Sequence, residues 1–97
     1  MIFKSVKALN FFLEKGKVAT MRDTLYKVGK KVIVKHGNRV VAKALVDKVV
    51  LNTDTMRIKY FDISGFDTLD EWLEEAIRLH KKVPRYIIIL RLIRKYI

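Results

Sequence analysis

The strongest constraint on this chain is its last apolar run, Tyr86 to Ile93 (YIIILRLI), which follows Pro84 and is broken only by Arg91. Isoleucine-rich segments of this length suit an extended conformation, because branching at Cβ restricts χ1 and packs well on a pleated surface. Near-continuous hydrophobicity, rather than alternation, marks a strand buried on both faces. The run therefore predicts a central strand with neighbours on either side and covering layers above and below. It is far too short to span a bilayer. With 97 residues, 51% of them hydrophobic, the chain can build one such core and is too short to divide into two. Residues 1–97 are read as a single domain, since no linker, repeat or low-complexity tract interrupts them.

Shorter elements fall around this strand. Val6 to Lys15 carries Val6, Leu9, Phe12 and Leu13 at helical spacing and stops at Gly16, a residue suited to a helix C-terminus. Val18 to Arg22 reads as a short strand in which Ala19 and Met21 share one face, and Thr20 and Arg22 the other. After a turn at Val28-Gly29, Lys31 to Lys35 forms a strand, His36-Gly37-Asn38 turns, and Arg39 to Leu51 returns with Val40, Ala42, Ala44, Val46 and Val50 facing inward. Asn52 to Thr55 breaks this strand, and Arg57 to Phe61 reads as extended. Thr68-Leu69-Asp70-Glu71 matches a capping box opening a helix from Leu69 to His80, with Leu69, Trp72, Leu73 and Ala76 as its buried stripe. Many strands and two helices suggest an α+β fold, a small and partly closed β-barrel with helices on its flank.

Charge narrows the function. Twenty-one Lys+Arg oppose 10 Asp+Glu, a net charge of +11. Residues 1–50 hold 12 of the cations and 3 acids (+9), and residues 51–97 hold 9 and 7 (+2). An excess of this size points first to nucleic acid. Asp62, Asp67, Asp70, Glu71, Glu74 and Glu75 lie in a stretch without Lys or Arg, a side that a phosphate backbone would avoid. With no cysteine and two isolated histidines, neither a metal site nor a cofactor is expected. The absence of glutamine and the wealth of Lys, Ile and Val suit a hyperthermophile, and with no leader-like or spanning segment a cytoplasmic protein is expected.

The most informative stretch is Gly16-Lys17-Val18-Ala19-Thr20-Met21-Arg22-Asp23, which sets a hydroxyl between two cationic groups at a helix-to-strand junction. It is not a P-loop, which needs a second glycine and a GK[ST] end. The order of helix, GKxxTxRD, Tyr26-x-Val28-Gly29-Lys30 turn, hairpin, and then Gly65-Phe66-Asp67-Thr68-Leu69-Asp70-Glu71-Trp72 opening a helix before an apolar strand resembles the ASCH domain. That family is named for homology to activating signal cointegrator, and its small archaeal and bacterial single-domain members belong with the PUA-like barrels. The resemblance covers about Val6 to Ile93. It implies a PUA-like β-barrel of about five to six mainly antiparallel strands with two or three flanking helices, and a cleft for RNA or a nucleotide beside Lys17, Thr20 and Arg22.

Some members that look similar are amidohydrolases acting on acetylated cytidine, with a lysine, a threonine and a glutamate as their site. Lys17 and Thr20 match the first two. Ser64 stands where the glutamate belongs, with Asp62 two residues earlier, so Lys17, Thr20 and Asp62 are the catalytic set only in a hydrolase reading, and binding is favoured over catalysis. For binding, Lys17 and Arg22 would contact phosphate while Thr20 bonds a base edge or sugar hydroxyl. Lys30, Lys31, Lys35 and Arg39, with Lys27 and Lys43, would extend the positive path, divided between faces by strand alternation. Tyr26, Tyr60 and Phe61 are candidate stacking surfaces. Trp72 is read as core, His80 as a cation at a helix C-terminus, and His36 as a turn residue. A basic module docking an acidic protein is the remaining alternative. The end of the terminal strand, Arg94 to Ile97, offers an edge for pairing, so a monomer or weak dimer is expected.

Overall fold

A computed structural model describes residues 1–96. The apolar run forms β4 (Tyr86–Lys95), whose residues from Ile87 to Leu90 are all buried. It lies inside a four-stranded antiparallel sheet of order β1-β4-β3-β2, flanked by β1 (Lys17–Arg22) and β3 (Arg39–Leu51), with β2 (Lys31–His36) at the far edge. The expectation of a central strand holds from Tyr86 to Arg91, and from Leu92 to Lys95 the strand ladder continues on the β3 side alone. Ile97 lies outside the described residues.

Both faces of β4 are covered, by different layers. On one face Ile88 and Leu90 join Val18, Ala44, Val46 and Val34 beneath α1 (Val6–Lys15), which buries Ala8, Leu9 and Phe12. On the other, Ile87 and Ile89 join Ala19 and Met21 beneath α3 (Leu69–His80), through Trp72 and Ala76. Each of these large side chains contributes about 1.5–3 kcal/mol by leaving water. Helix α1 starts where Ser5 Oγ accepts from the Ala8 amide at 3.3 Å. It ends at Gly16, at φ 80°, whose amide donates to the Phe12 carbonyl. Thr68 Oγ accepts from the Glu71 amide at 3.1 Å and opens α3. The Glu71 carboxylate, however, does not close a capping box; it pairs with Lys7 of α1 at 2.6 Å.

Two expectations are overturned. Residues 57–61 are not extended: Thr53 caps α2 (Asp54–Tyr60), accepting from the Met56 amide at 3.2 Å, and a 3-10 turn follows at Phe61–Ile63. Arg57 reinforces that helix by bonding back to Asn52 at 2.8 Å and to Asp54. The lost strand bears on the second correction. The domain is α+β with four antiparallel strands and three α-helices, but its sheet is open, so neither the PUA-like β-barrel of five to six strands nor the ASCH resemblance stands. β1 and β2 do not pair. Between them runs the N-terminal segment, joined to β2 by a single parallel bridge, Ile2 to Lys35, and to β1 by a side chain.

Register shifts between β3 and β4, at Lys43/Ala44 and Val46/Lys48, and in the β2–β3 pair at Val34/Lys35, break simple alternation. Ala42, Ala44 and Val46 are buried and Val50 is half-buried as expected, but Val40 is exposed and Val41 is buried instead. The radius of gyration, 12.1 Å, is close to the value of about 12.5 Å for a compact chain of this length. Among the described residues no helix is long and apolar enough to cross a membrane.

Candidate functional site

A cleft of about 460 Å³ lies along the free edge of β1, between the N-terminal segment and α3. Strand alternation places Thr20 and Arg22 on the α1 side of the sheet, and Arg22 Nε donates to Thr20 Oγ1 at 3.1 Å. Arg22 Nη1 donates to the Ile2 carbonyl at 2.6 Å, and the guanidinium lies over the Phe3 ring, 4.7 Å from its centroid. The arginine thus ties the N-terminal segment to the sheet. Thr20 is only 7% exposed.

Among the described residues Arg22 makes no ion pair. Burial draws its pKa down to about 10, opposed by Tyr26, so at neutral pH the group is still charged. A guanidinium carries five N–H groups, and two of its nitrogens are committed to Thr20 and Ile2. No fully buried side-chain N or O among the described residues lacks a partner, so Nη2, which bonds to neither, is open to the cleft. A partly desolvated cation without a carboxylate attracts an anion more strongly than a solvated one.

Across the cleft, α3 presents Trp72, Glu75, Ala76 and His80. Glu75 is already paired with Arg78. His80 has its pKa lowered, first by burial and then by Arg22, so its imidazole is neutral at pH 7. The helix cap itself is Lys81, whose amide donates to the Ile77 carbonyl. His80 therefore belongs to the cleft as much as to the helix end. Sequence carried the signal, since residues 72, 76 and 80 share one helical stripe. Trp72 is 2% exposed, a core residue whose edge also reaches the site.

The other expected residues lie elsewhere. Lys17 is exposed at the opposite end of β1, on the face shared with Ala19 and Met21, and opposes Arg91. Asp62 is in the 3-10 turn, whose neighbours Phe61 and Ile63 pack beneath the opposite face. Neither lines the cleft, so Lys17, Thr20 and Asp62 are not brought together. Ser64 is buried and accepts from the Phe66 amide at 3.1 Å, a structural bond. Lys30 lies in the turn before β2, Lys31 and Lys35 are exposed on β2, and Arg39 opposes His36 at the hairpin. His36 Nδ1 is 2.9 Å from the Phe3 carbonyl. Of the possible stacking residues, Tyr26 lines the cleft, whereas Tyr60 and Phe61 pack against the α3-side core.

Fold and site together define a small α+β protein in which an open antiparallel sheet carries an unpaired arginine in a cleft at its edge. No protein-family model matches the chain. It is 39% identical over 87 residues to "Uncharacterized protein 105" of Sulfolobus islandicus rod-shaped virus 1, an alignment covering 82% of this chain and 77% of that protein. The chain belongs to the same family as that viral protein.

Proposed function

We propose that this protein is an RNA- or nucleotide-binding domain that takes an anionic group into the cleft beside β1, at Arg22 and Thr20. The observation that carries this reading is the guanidinium, held in place by Thr20 and the Ile2 carbonyl, without a carboxylate partner, in a cleft of nucleotide size. Such pre-positioning spares a ligand the cost of ordering a long side chain. Half-buried Tyr26 supplies apolar surface for a base, and Lys4 adds a second cation. The net charge of +11 favours a polyanion over a neutral metabolite.

Binding of mononucleotides and of short RNA to the wild type and to Arg22→Met tests the reading by calorimetry at low salt. The expected result is a loss of at least about tenfold in affinity, or about 1.4 kcal/mol, with Arg22→Lys recovering part of it because charge returns without the planar fork. Wild-type protein that binds neither ligand, or a folded Arg22→Met that binds as well as wild type, overturns it.

A further inference from the structure

The helices cover only half of the sheet face opposite α1. Ala19, Met21, Ile87, Ile89 and Val50 lie under α3, α2 and the 3-10 turn, but farther along the same strands the face is bare. Residues directly opposite in an antiparallel pair share a face. Lys31 opposes Leu45, Leu45 opposes Arg91, and Arg91 opposes Lys17, so one row crosses all four strands. Next to it Ile33 opposes Lys43 and Lys43 opposes Arg94, and beyond them Lys35 opposes Val40. Six cations therefore share one patch, with Lys17 beside Arg91 and Lys43 beside Arg94, each pair about 5 Å apart across the strands, and with Lys31 and Lys35 one strand farther out. Of these, only Arg91 has a counter-charge among the described residues, Asp47 at 3.6 Å.

Like charges gathered without counter-ions cost the fold stability through self-repulsion, and the hydrogen-bonded sheet holds these side chains on one face. We infer that this bare basic half-face is a docking surface for the phosphate backbone of double-stranded nucleic acid. Charge complementarity selects the polyanion. The two-dimensional spread of cations selects a duplex over a single strand, because a single strand is bound along a line of stacked aromatics. The face offers one aromatic, Tyr96, itself under the Arg94 guanidinium at 5.7 Å. The acids Asp67, Asp70, Glu71 and Glu74 belong to α3 and its leader, and they mark a region a duplex would leave clear.

The inference shares its ligand class with the cleft reading but uses different residues, so the two fail separately. A labelled RNA duplex and its single strand are titrated at several salt concentrations against wild type, Arg22→Met, and a quadruple Lys17→Ala, Lys31→Ala, Lys43→Ala, Arg94→Ala variant. Lys17, Lys31 and Arg94 are exposed and Lys43 is half-buried, and thermal unfolding verifies that the variant folds. The expected result is tighter binding of duplex than of strand. In the quadruple variant duplex affinity falls at least about tenfold and the salt slope falls by about 3 to 4, while Arg22→Met leaves duplex binding in place. Tighter binding of the single strand, no duplex binding at low salt, or a folded quadruple variant with wild-type affinity and slope overturns the proposal.

Discussion

Ile89 and Arg91 sit two residues apart on one strand and one face, yet the first is buried under α3 and the second is exposed. On the neighbouring strand the same step separates Ala19 from Lys17, which oppose them in register. The sheet is thus one hydrogen-bonded surface with two chemistries. Where a helix covers it the side chains are apolar, and where the helix layer ends they turn cationic within one step of the pleat. Between the bulges alternation predicts which face a residue takes; the length of the covering layer decides whether that face is core or interface.

The comparison is most sharply tested by truncating both sides of the boundary. Ile89→Ala leaves a cavity beneath Trp72 and Ala76 and is expected to lower unfolding free energy by about 2–5 kcal/mol. Arg91→Ala, on the same strand and face, should change it by no more than about 0.5 kcal/mol. Chemical denaturation of the two variants reads both. Similar losses at both positions would mean that the boundary does not lie where the structure puts it.

A smaller effect is expected where the helix layer wraps around β1. Gly65, at φ 87°, precedes α3 and approaches α1 so closely that an added Cβ would stand 2.8 Å from Phe11 Cβ and 3.0 Å from the Lys7 carbonyl oxygen. Two rigid neighbours and a left-handed backbone both oppose a side chain. Gly65→Ala should cost about 1–3 kcal/mol and disturb the Lys7 pairs with Asp67 and Glu71, at 3.1 and 2.6 Å. Faster amide exchange in α3, with β2 and β3 unchanged, is the expected pattern. Equal exchange in all elements would show that the helix layer does not move as a unit.

Local signals in the sequence were sufficient for most of this framework and failed at identifiable places. The helices Val6–Lys15 and Leu69–His80 follow from apolar spacing, Gly16 and Thr68, because caps and stripes are interactions within a few residues. Asn52-Thr53-Asp54 ends a strand in either reading; that Thr53 also starts a helix depends on its hydroxyl reaching the Met56 amide, which the apolar Ile58 and Tyr60 in the same segment obscured. Closure was illegible. Whether β1 meets β2 is decided by strand number and bulges, not by any local pattern, and motif order alone suggested a barrel that the sheet does not form. In the site, parity was enough to pair Thr20 with Arg22. The same parity put Lys17 with Ala19 and Met21, on the wrong side for a shared ligand. Arg91 and Arg94 interrupt or follow an apolar run, and their place on a basic face emerged only with the register of β3 against β4.

The least perturbing test uses the histidine at the cleft. An unfolded chain protonates His80 near the ordinary value of 6.5, whereas in the folded chain burial, then Arg22, and to a lesser extent Lys4 hold that pKa lower, over the opposing influence of Asp23 and the Met21 backbone. Between the two values the unfolded state binds more protons, so stability falls as pH drops from 6.5 through the folded pKa and levels off below it. His80→Gln should remove that component of the pH dependence. The same imidazole reports on the cleft. An anion bound at Arg22 offsets the charge that depresses His80, so a nucleotide seated there must raise the folded pKa and shrink the window, which the His80 ring signals in an NMR titration would show. A duplex docked only on the bare half-face meets β1 at Lys17, the end of the strand away from Met21 and that ring, and should leave its titration in place. One histidine thus distinguishes the ligand of the cleft from the ligand of the face.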